Sequence, residues 1–145
     1  RFGKADITGW EEDHGRLPDG AIVLFRTGFS KFWPDREKYM GTALRGEKGV
    51  AELHFPGLSE GAARFLAEER KVAAVGLDTP SLDYGQSEDF IVHRILLARN
   101  IPGFENVTHL DQLPASGAYV IALPTKIKDG SGAPLRIVAL VPDEI

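Results

Sequence analysis

Short apolar runs along the chain predict the strands of an α/β fold. The first run, Ala21–Arg26, follows a Leu17-Pro-Asp-Gly20 turn and predicts a strand. A second run, Val72–Leu77, is continuously apolar, which is typical of a strand buried on both faces. Two later runs, Gly117–Leu123 and Leu135–Val141, predict strands joined by a loop rich in Gly, Ser and Asp.

Helical spacing of apolar residues predicts two helices between these strands. Ser59 has the character of an N-cap and precedes a helix that ends near Lys71. A second helix is predicted from Ser87 to about Arg99, and at 3.6 residues per turn His93 lies on its apolar face. Four strands and two helices predict one α/β domain over residues 1–145.

The remaining segments predict little regular structure. Residues before Leu17 are predicted to be loop, and Phe29–Gly49 predicts an irregular surface segment with at most brief helix. The aromatic residues Phe29, Phe32 and Trp33 in that segment are candidates for a contact with a partner, because aromatic side chains are enriched at interfaces.

Composition narrows the classes of function. The 145 residues carry a net charge of −4 with acidic and basic residues interspersed, which argues against nucleic-acid or anionic-membrane binding and favours a small-molecule ligand. The absence of cysteine excludes disulfides, thiolate metal sites and cysteine nucleophiles. No apolar run approaches the ~18 residues of a membrane helix, and a cytoplasmic location is expected.

The candidate chemistry centres on His93 and Glu105, which are separated by a helix end and an Ile101-Pro-Gly103 turn. An imidazole and a carboxylate are ligand types of catalytic divalent-metal sites. We therefore expect their polar atoms to lie within roughly 5 Å of each other or of one common ion, as ligands of one ion must. The structural alternatives are a core histidine and a surface or capping carboxylate.

Other polar residues are weaker candidates. His54 is held extended by the following proline and is a candidate for substrate binding. Asp78 and Ser81 follow the predicted strand Val72–Leu77 and are candidates for lining a pocket, Ser81 as a substrate contact. The alternative for Asp78 and Ser81 is that they satisfy backbone donors of the Asp-Thr-Pro-Ser turn.

Five short segments, in order along the chain, carry a resemblance to a known family. They are His54-Phe-Pro-Gly-Leu-Ser59, Gly76-Leu-Asp-Thr-Pro-Ser-Leu-Asp83, Val92-His-Arg94, Phe104-Glu-Asn106, and Ala122-Leu-Pro-Thr-Lys-Ile-Lys128 with Gly132-Ala-Pro-Leu-Arg136. Together they resemble the cyclase family of metal-dependent hydrolases, which includes kynurenine formamidase and isatin hydrolase. The resemblance runs from about Pro18 to Val141.

This resemblance implies a swivelling β/β/α-type fold, a bound Zn²⁺ or Mn²⁺, and hydrolysis of an aryl formamide or a cyclic amide. It places His93 and Glu105 at metal-site positions, with His93 either a ligand or the group that passes a proton to the leaving nitrogen. A homodimer or higher oligomer is also implied.

The family's His-x-Gly-Thr-His-x-Asp signature should lie upstream of Ala21, and this sequence has no such stretch. We therefore expect the domain to be incomplete at the amino terminus. The chain would then be the carboxyl-terminal part of a longer hydrolase and would pair with the missing amino-terminal segment. The alternative is a non-catalytic remnant that keeps the fold and the oligomer contacts but binds no metal.

Overall fold

The computed structural model of the chain describes residues 1–142, which divide after Asp111 into two compact units. Unit 1 contains most of the regular structure, and unit 2 begins at Gln112. The predicted single-domain organisation stays a prediction.

A three-stranded parallel sheet lies at the centre of unit 1, in the order β1 (Ile22–Phe25), β2 (Ala74–Leu77) and β3 (Gly103–Phe104). Every residue of the central strand β2 is buried, as its apolar run predicts, whereas β1 is half-buried. The two strands predicted for this unit are confirmed. The two-residue β3 is too short to leave a pattern in the sequence.

Helices pack around this sheet. Their bounds are α1 (Lys4–His14), α2 (Arg36–Met40), α3 (Glu47–Val50), α4 (Glu60–Arg64) and α5 (Ile91–Leu97). The Ser59 hydroxyl accepts a hydrogen bond from the Ala62 N–H at 3.1 Å, so the predicted N-cap of α4 is confirmed. A π-helical turn, Phe65–Glu69, continues α4.

The amino-terminal segment corrects the sequence prediction, because α1 occupies residues that were predicted to be loop. Only Ile7 of this helix is fully buried, and Gly9 lies at its middle, so the apolar pattern is weak. A capping contact and two ion pairs hold the helix. The Gly3 N–H donates to the Asp6 carboxylate at 2.7 Å, Glu11 pairs with Arg70 at 2.6 Å, and Lys4 pairs with Glu69 at 2.8 Å.

The start of α5 is a second correction, since the helix begins at Ile91 and not at Ser87. The Ser87 hydroxyl does accept the Phe90 N–H, at 3.3 Å, but Phe90 then adopts a left-handed conformation with φ of 49°. Helical geometry therefore begins only after it.

The hydrophobic core of unit 1 lies between the sheet and the helices α4 and α5. Its most deeply buried large side chains are Leu58, Leu66, Leu77, Leu82, Val92 and Leu96. Within residues 1–142, no helix has the length and apolar character needed to cross a membrane.

Unit 2 contains an antiparallel hairpin of β4 (Tyr119–Pro124) and β5 (Leu135–Leu140), which confirms both predicted strands. Ile121 pairs with Val138 across the hairpin. Tyr119, Ile121 and Leu140 are among the exposed large apolar residues of the chain, so one face of the hairpin presents apolar side chains to solvent.

Candidate active site

The carboxyl ends of the three parallel strands bring polar residues to one edge of the sheet. Thr27 follows β1, Asp78 follows β2 and Glu105 follows β3. The loops after β2 and β3 are joined by backbone hydrogen bonds, including Asn106 N–H to Thr79 C=O at 2.8 Å. This edge is where open α/β sheets place their binding sites.

His93 lies in the first turn of α5 and contacts two carboxylates. Its Nδ1 is 2.6 Å from Asp83 Oδ2, and its Nε2 is 3.0 Å from Glu105 Oε1. The expected convergence of His93 and Glu105 is therefore confirmed. Their role as metal ligands stays a prediction.

Asp83, which the sequence analysis did not single out, binds His93 in two ways. Its side chain is only 1% exposed and accepts the backbone N–H groups of Val92 at 2.9 Å and of His93 at 3.2 Å, in addition to the ring contact. The only sign in the sequence was its position at the end of the Gly76–Asp83 segment, ten residues before His93.

Gly57 allows this loop to approach closely. A Cβ added at Gly57 would lie 2.4 Å from the backbone of Asp83 and of Tyr84. The loop that holds Asp83 therefore rests directly on the backbone of the preceding segment.

The three side chains are electrostatically coupled. Hydrogen bonds to Asp83 and then to Glu105 raise the pKa of His93 to about 9, against a smaller opposing effect of burial. Burial works against ionisation of Asp83, but the hydrogen bonds from the His93 ring and from the Val92 and His93 N–H groups outweigh it and lower the pKa of Asp83. At neutral pH a protonated imidazole therefore faces an ionised, buried Asp83.

Asp78 has a structural role at the same edge. One carboxylate oxygen accepts the Thr27 N–H at 2.7 Å and the Thr27 hydroxyl at 2.6 Å, and the other accepts the Gly28 N–H at 2.8 Å and the Ser30 hydroxyl at 3.3 Å. The side chain is fully buried. These contacts fix the loop after β1. Asp78 thus does satisfy backbone donors, but those of Thr27 and Gly28 and not those of its own Asp-Thr-Pro-Ser turn, as the alternative had it.

Tyr39 connects the loops at this edge to α2. Its buried hydroxyl donates toward Asn106 Oδ1 at 2.9 Å and lies 3.2 Å from the Asp78 carbonyl. Burial, and then the charges of Asp78 and Glu105, raise the pKa of Tyr39 to about 12, so the hydroxyl keeps its proton at physiological pH.

The two other predicted site residues lie differently. The Ser81 hydroxyl accepts the Asp83 N–H at 3.3 Å, which is a local turn contact. His54 is exposed, and its backbone N–H donates to Met40 C=O at 2.8 Å. Neither residue shares a hydrogen bond with the ring of His93 among the described residues, and substrate binding by His54 and Ser81 stays a prediction.

The donor chemistry at His93 and Glu105 fits part of a metal site. Imidazole nitrogen and carboxylate oxygen suit Zn²⁺ and Mn²⁺, and the two atoms lie 3.0 Å apart. Residues 1–142 contain no group of three or more His, Cys, Asp and Glu side chains placed to hold an ion. The described part of the chain therefore offers two candidate donors at this point, fewer than a catalytic ion requires.

Comparison with known proteins identifies related sequences over nearly the whole chain. The family model described as "Putative cyclase" matches residues 1–84. Isatin hydrolase of Roseibium aggregatum is 34% identical over 140 residues, which cover 94% of this chain and 51% of that protein. Kynurenine formamidase of Bordetella petrii is 34% identical over 70 residues, or 48% of this chain and 33% of that protein.

The fold is also similar to a solved structure. Isatin hydrolase A from Ralstonia solanacearum matches with a TM-score of 0.88 and 36% identity, over 97% of this chain and 53% of that one. The predicted α/β fold of the cyclase type is thus confirmed. The chain spans about half the length of isatin hydrolase, and the part that matches kynurenine formamidase covers a third of that protein.

Proposed function

The chain belongs to the cyclase family, and from that premise we propose that it forms part of a metal-dependent amidohydrolase in which His93 and Glu105 are two of the metal ligands. The observation that carries the proposal is the convergence of His93 Nε2 and Glu105 Oε1 at the carboxyl edge of the parallel sheet. Further ligands must come from a segment outside the described residues, because two donors do not hold a catalytic ion.

The bound Zn²⁺ or Mn²⁺ would polarise the amide carbonyl of the substrate and lower the pKa of a bound water toward about 7. The residues of this chain have separate tasks around it. His93 and Glu105 bind the ion, or His93 passes its proton to the leaving nitrogen. Asp78 and Tyr39 hold the loops after β1, β2 and β3 in place, so the donors do not need to reorganise when substrate binds.

A cyclic amide such as isatin is the substrate class that we favour, because the relatedness to isatin hydrolase extends over 94% of this chain. An aryl formamide of the N-formylkynurenine type is the second candidate, and the shorter match to kynurenine formamidase supports it. Both reactions cleave an amide C–N bond with water. Hydrolysis of a cyclic amide opens the ring and leaves one product, whereas hydrolysis of an aryl formamide releases two separate products.

The test uses the full-length protein, loaded with Zn²⁺ or Mn²⁺ and assayed with isatin and with N-formylkynurenine. His93→Ala and Glu105→Ala should each lower kcat/KM by about 10²-fold or more, the scale on which loss of a proton-transfer or ligand group slows an enzyme. The exposed residues His14 and Glu88 provide matched controls. His14→Ala and Glu88→Ala should stay within about threefold, as surface substitutions do.

Each outcome decides between the proposals. A higher kcat/KM for isatin supports the cyclic-amide assignment, and a higher value for the formamide replaces it. An active His93→Ala enzyme would return that residue to a packing role. If the protein binds neither metal and hydrolyses neither amide, the non-catalytic remnant is the correct interpretation.

We also propose that the chain functions in an associated state, either as a homodimer or higher oligomer or with a segment that completes the site. Trp33 is 69% exposed, and the β4–β5 hairpin presents Tyr119 at 74% and Leu140 at 59%. Tyr119 and Leu140 are paired across the hairpin, and neighbouring exposed apolar side chains of this kind mark interaction surfaces. Sedimentation equilibrium of the 145-residue chain tests this, since a monomer that persists at high protein concentration would contradict it.

A further inference from the structure

We infer that Asp83 is a positioning residue for His93: it determines which ring nitrogen carries the proton and so turns an unprotonated Nε2 toward Glu105. The significance of this for catalysis rests on the proposed function. The ring geometry itself is testable without any hydrolytic activity.

The argument begins with the hydrogen bonds to Asp83. Oδ2 lies 2.6 Å from His93 Nδ1 and also accepts the His93 backbone N–H, while Oδ1 accepts the Val92 N–H. An ionised carboxylate only accepts hydrogen bonds. Both ring nitrogens face a carboxylate, so a single proton belongs on the nitrogen with the stronger acceptor. Asp83 Oδ2 lies nearer, at 2.6 Å against 3.0 Å for Glu105 Oε1, and Glu105 Oε1 also accepts the Leu82 N–H at 3.2 Å. The proton therefore lies on Nδ1, and the lone pair is left on Nε2.

The second step concerns the other side of the ring. With the lone pair on Nε2, two acceptor atoms, Nε2 and Glu105 Oε1, stand 3.0 Å apart. Two facing acceptors repel unless a positive species lies between them, so this arrangement suits a proton or a metal cation at that point. Around protein-bound metals, a carboxylate commonly orients a ligand histidine by accepting a hydrogen bond from the ring nitrogen that does not bind the metal.

A simpler explanation is that Asp83 only caps α5, because two of its hydrogen bonds come from backbone N–H groups of that helix. Asp89 provides the comparison that separates the two roles. Its carboxylate accepts the Ile91 N–H at 3.3 Å, also at the start of α5, and it makes no hydrogen bond to the His93 ring. Replacing either aspartate removes one negative charge and a capping contact of α5. Only replacement of Asp83 removes the hydrogen bond to the His93 ring.

The experiment measures the protonation of each ring nitrogen by ¹⁵N NMR in the metal-free 145-residue chain, at a pH above 10, where the His93 ring is neutral. The chain has four histidines, and His93→Gln identifies the His93 signals by their disappearance. The wild-type ring should carry its proton on Nδ1. Asp83→Ala should shift the proton to Nε2, the form that a free histidine side chain favours, and Asp89→Ala should match the wild type.

The wild-type spectrum alone decides the question if Asp83→Ala does not fold. The exposed ring of His54 is an internal reference for an unconstrained histidine. A wild-type His93 ring with the same tautomer mixture as His54 would overturn the inference, and so would identical ring states in the Asp83→Ala and Asp89→Ala variants.

A kinetic measurement links this positioning to the proposed function. In the metal-loaded, full-length protein, Asp83→Ala should lower kcat by about 10- to 100-fold, the usual effect of removing a group that orients a metal ligand. Asp89→Ala should leave kcat within about threefold. If the wild-type protein hydrolyses no amide, the proposed function fails while the tautomer result still stands. If hydrolysis is normal in Asp83→Ala, the positioning role fails and the proposed function survives.

Discussion

The raised pKa of His93 predicts that the metal-free protein loses stability in alkaline solution. The folded-state pKa is about 9 and the reference value is 6.5, so the folded protein binds this proton more tightly than the unfolded chain. The resulting stabilisation is complete below pH 6.5 and is lost as the pH rises through about 9.

The magnitude follows from the size of the shift. At 1.36 kcal/mol per pKa unit, the shift corresponds to about 3 kcal/mol at low pH, of which about 2.5 kcal/mol is lost between pH 7 and pH 10. The side chain of His93 is 28% exposed, so most of this interaction is shielded from solvent. A difference of this size is a large fraction of the stability of a small domain.

Urea denaturation of the wild type and of His93→Gln, in buffer with chelator at several pH values, measures the effect. Subtracting the two free energies of unfolding cancels the titration of other side chains. The difference should fall by about 2.5 kcal/mol from pH 7 to pH 10. His14→Gln, at an exposed histidine, should give no such trend. Parallel curves for wild type and His93→Gln would refute the assignment of the alkaline transition to His93.

Two further predictions concern the loops that hold the site. Asp78→Asn should lower the free energy of unfolding by about 2–3 kcal/mol, because an amide nitrogen would face donors that now bind a carboxylate. In the same urea titration, the control Asp13→Asn, at an exposed position, should change the free energy of unfolding by no more than about 0.5 kcal/mol. Gly57→Ala should destabilise the protein and shift the backbone amide signals of Asp83 in NMR, because the new Cβ would meet backbone at 2.4 Å. Gly9→Ala, in the middle of α1 with open space around it, should instead raise stability by about 1 kcal/mol, and the opposite pair of signs would contradict both explanations.

All strands except β3, and the meeting of His93 with Glu105, could be predicted from the sequence, because each depends on information close along the chain. Apolar runs define β1 and β2, and a short turn between α5 and β3 limits where Glu105 can lie. Sequence patterns were sufficient to predict the elements whose structure depends on contacts between residues close along the chain.

Other features depend on contacts that the sequence does not display. The start of α5 is decided by Asp83 from a preceding loop, and this remote cap outweighs the local signal at Ser87. The helix α1 is stabilised by the ion pair of Glu11 with Arg70, which are 59 positions apart. Asp83 could not be recognised for the same reason, because its importance arises only when the chain folds back onto the start of α5.

The short separations within the Asp83, His93 and Glu105 cluster have a consequence for the order of folding. These side chains meet by closing loops of about 10 residues, which takes on the order of 10–100 ns in an unfolded chain. Pairing β1 with β2 instead brings together residues such as Ile22 and Ala74, which are far apart in sequence and slow to find each other. The three side chains can therefore meet transiently before the sheet beneath them exists.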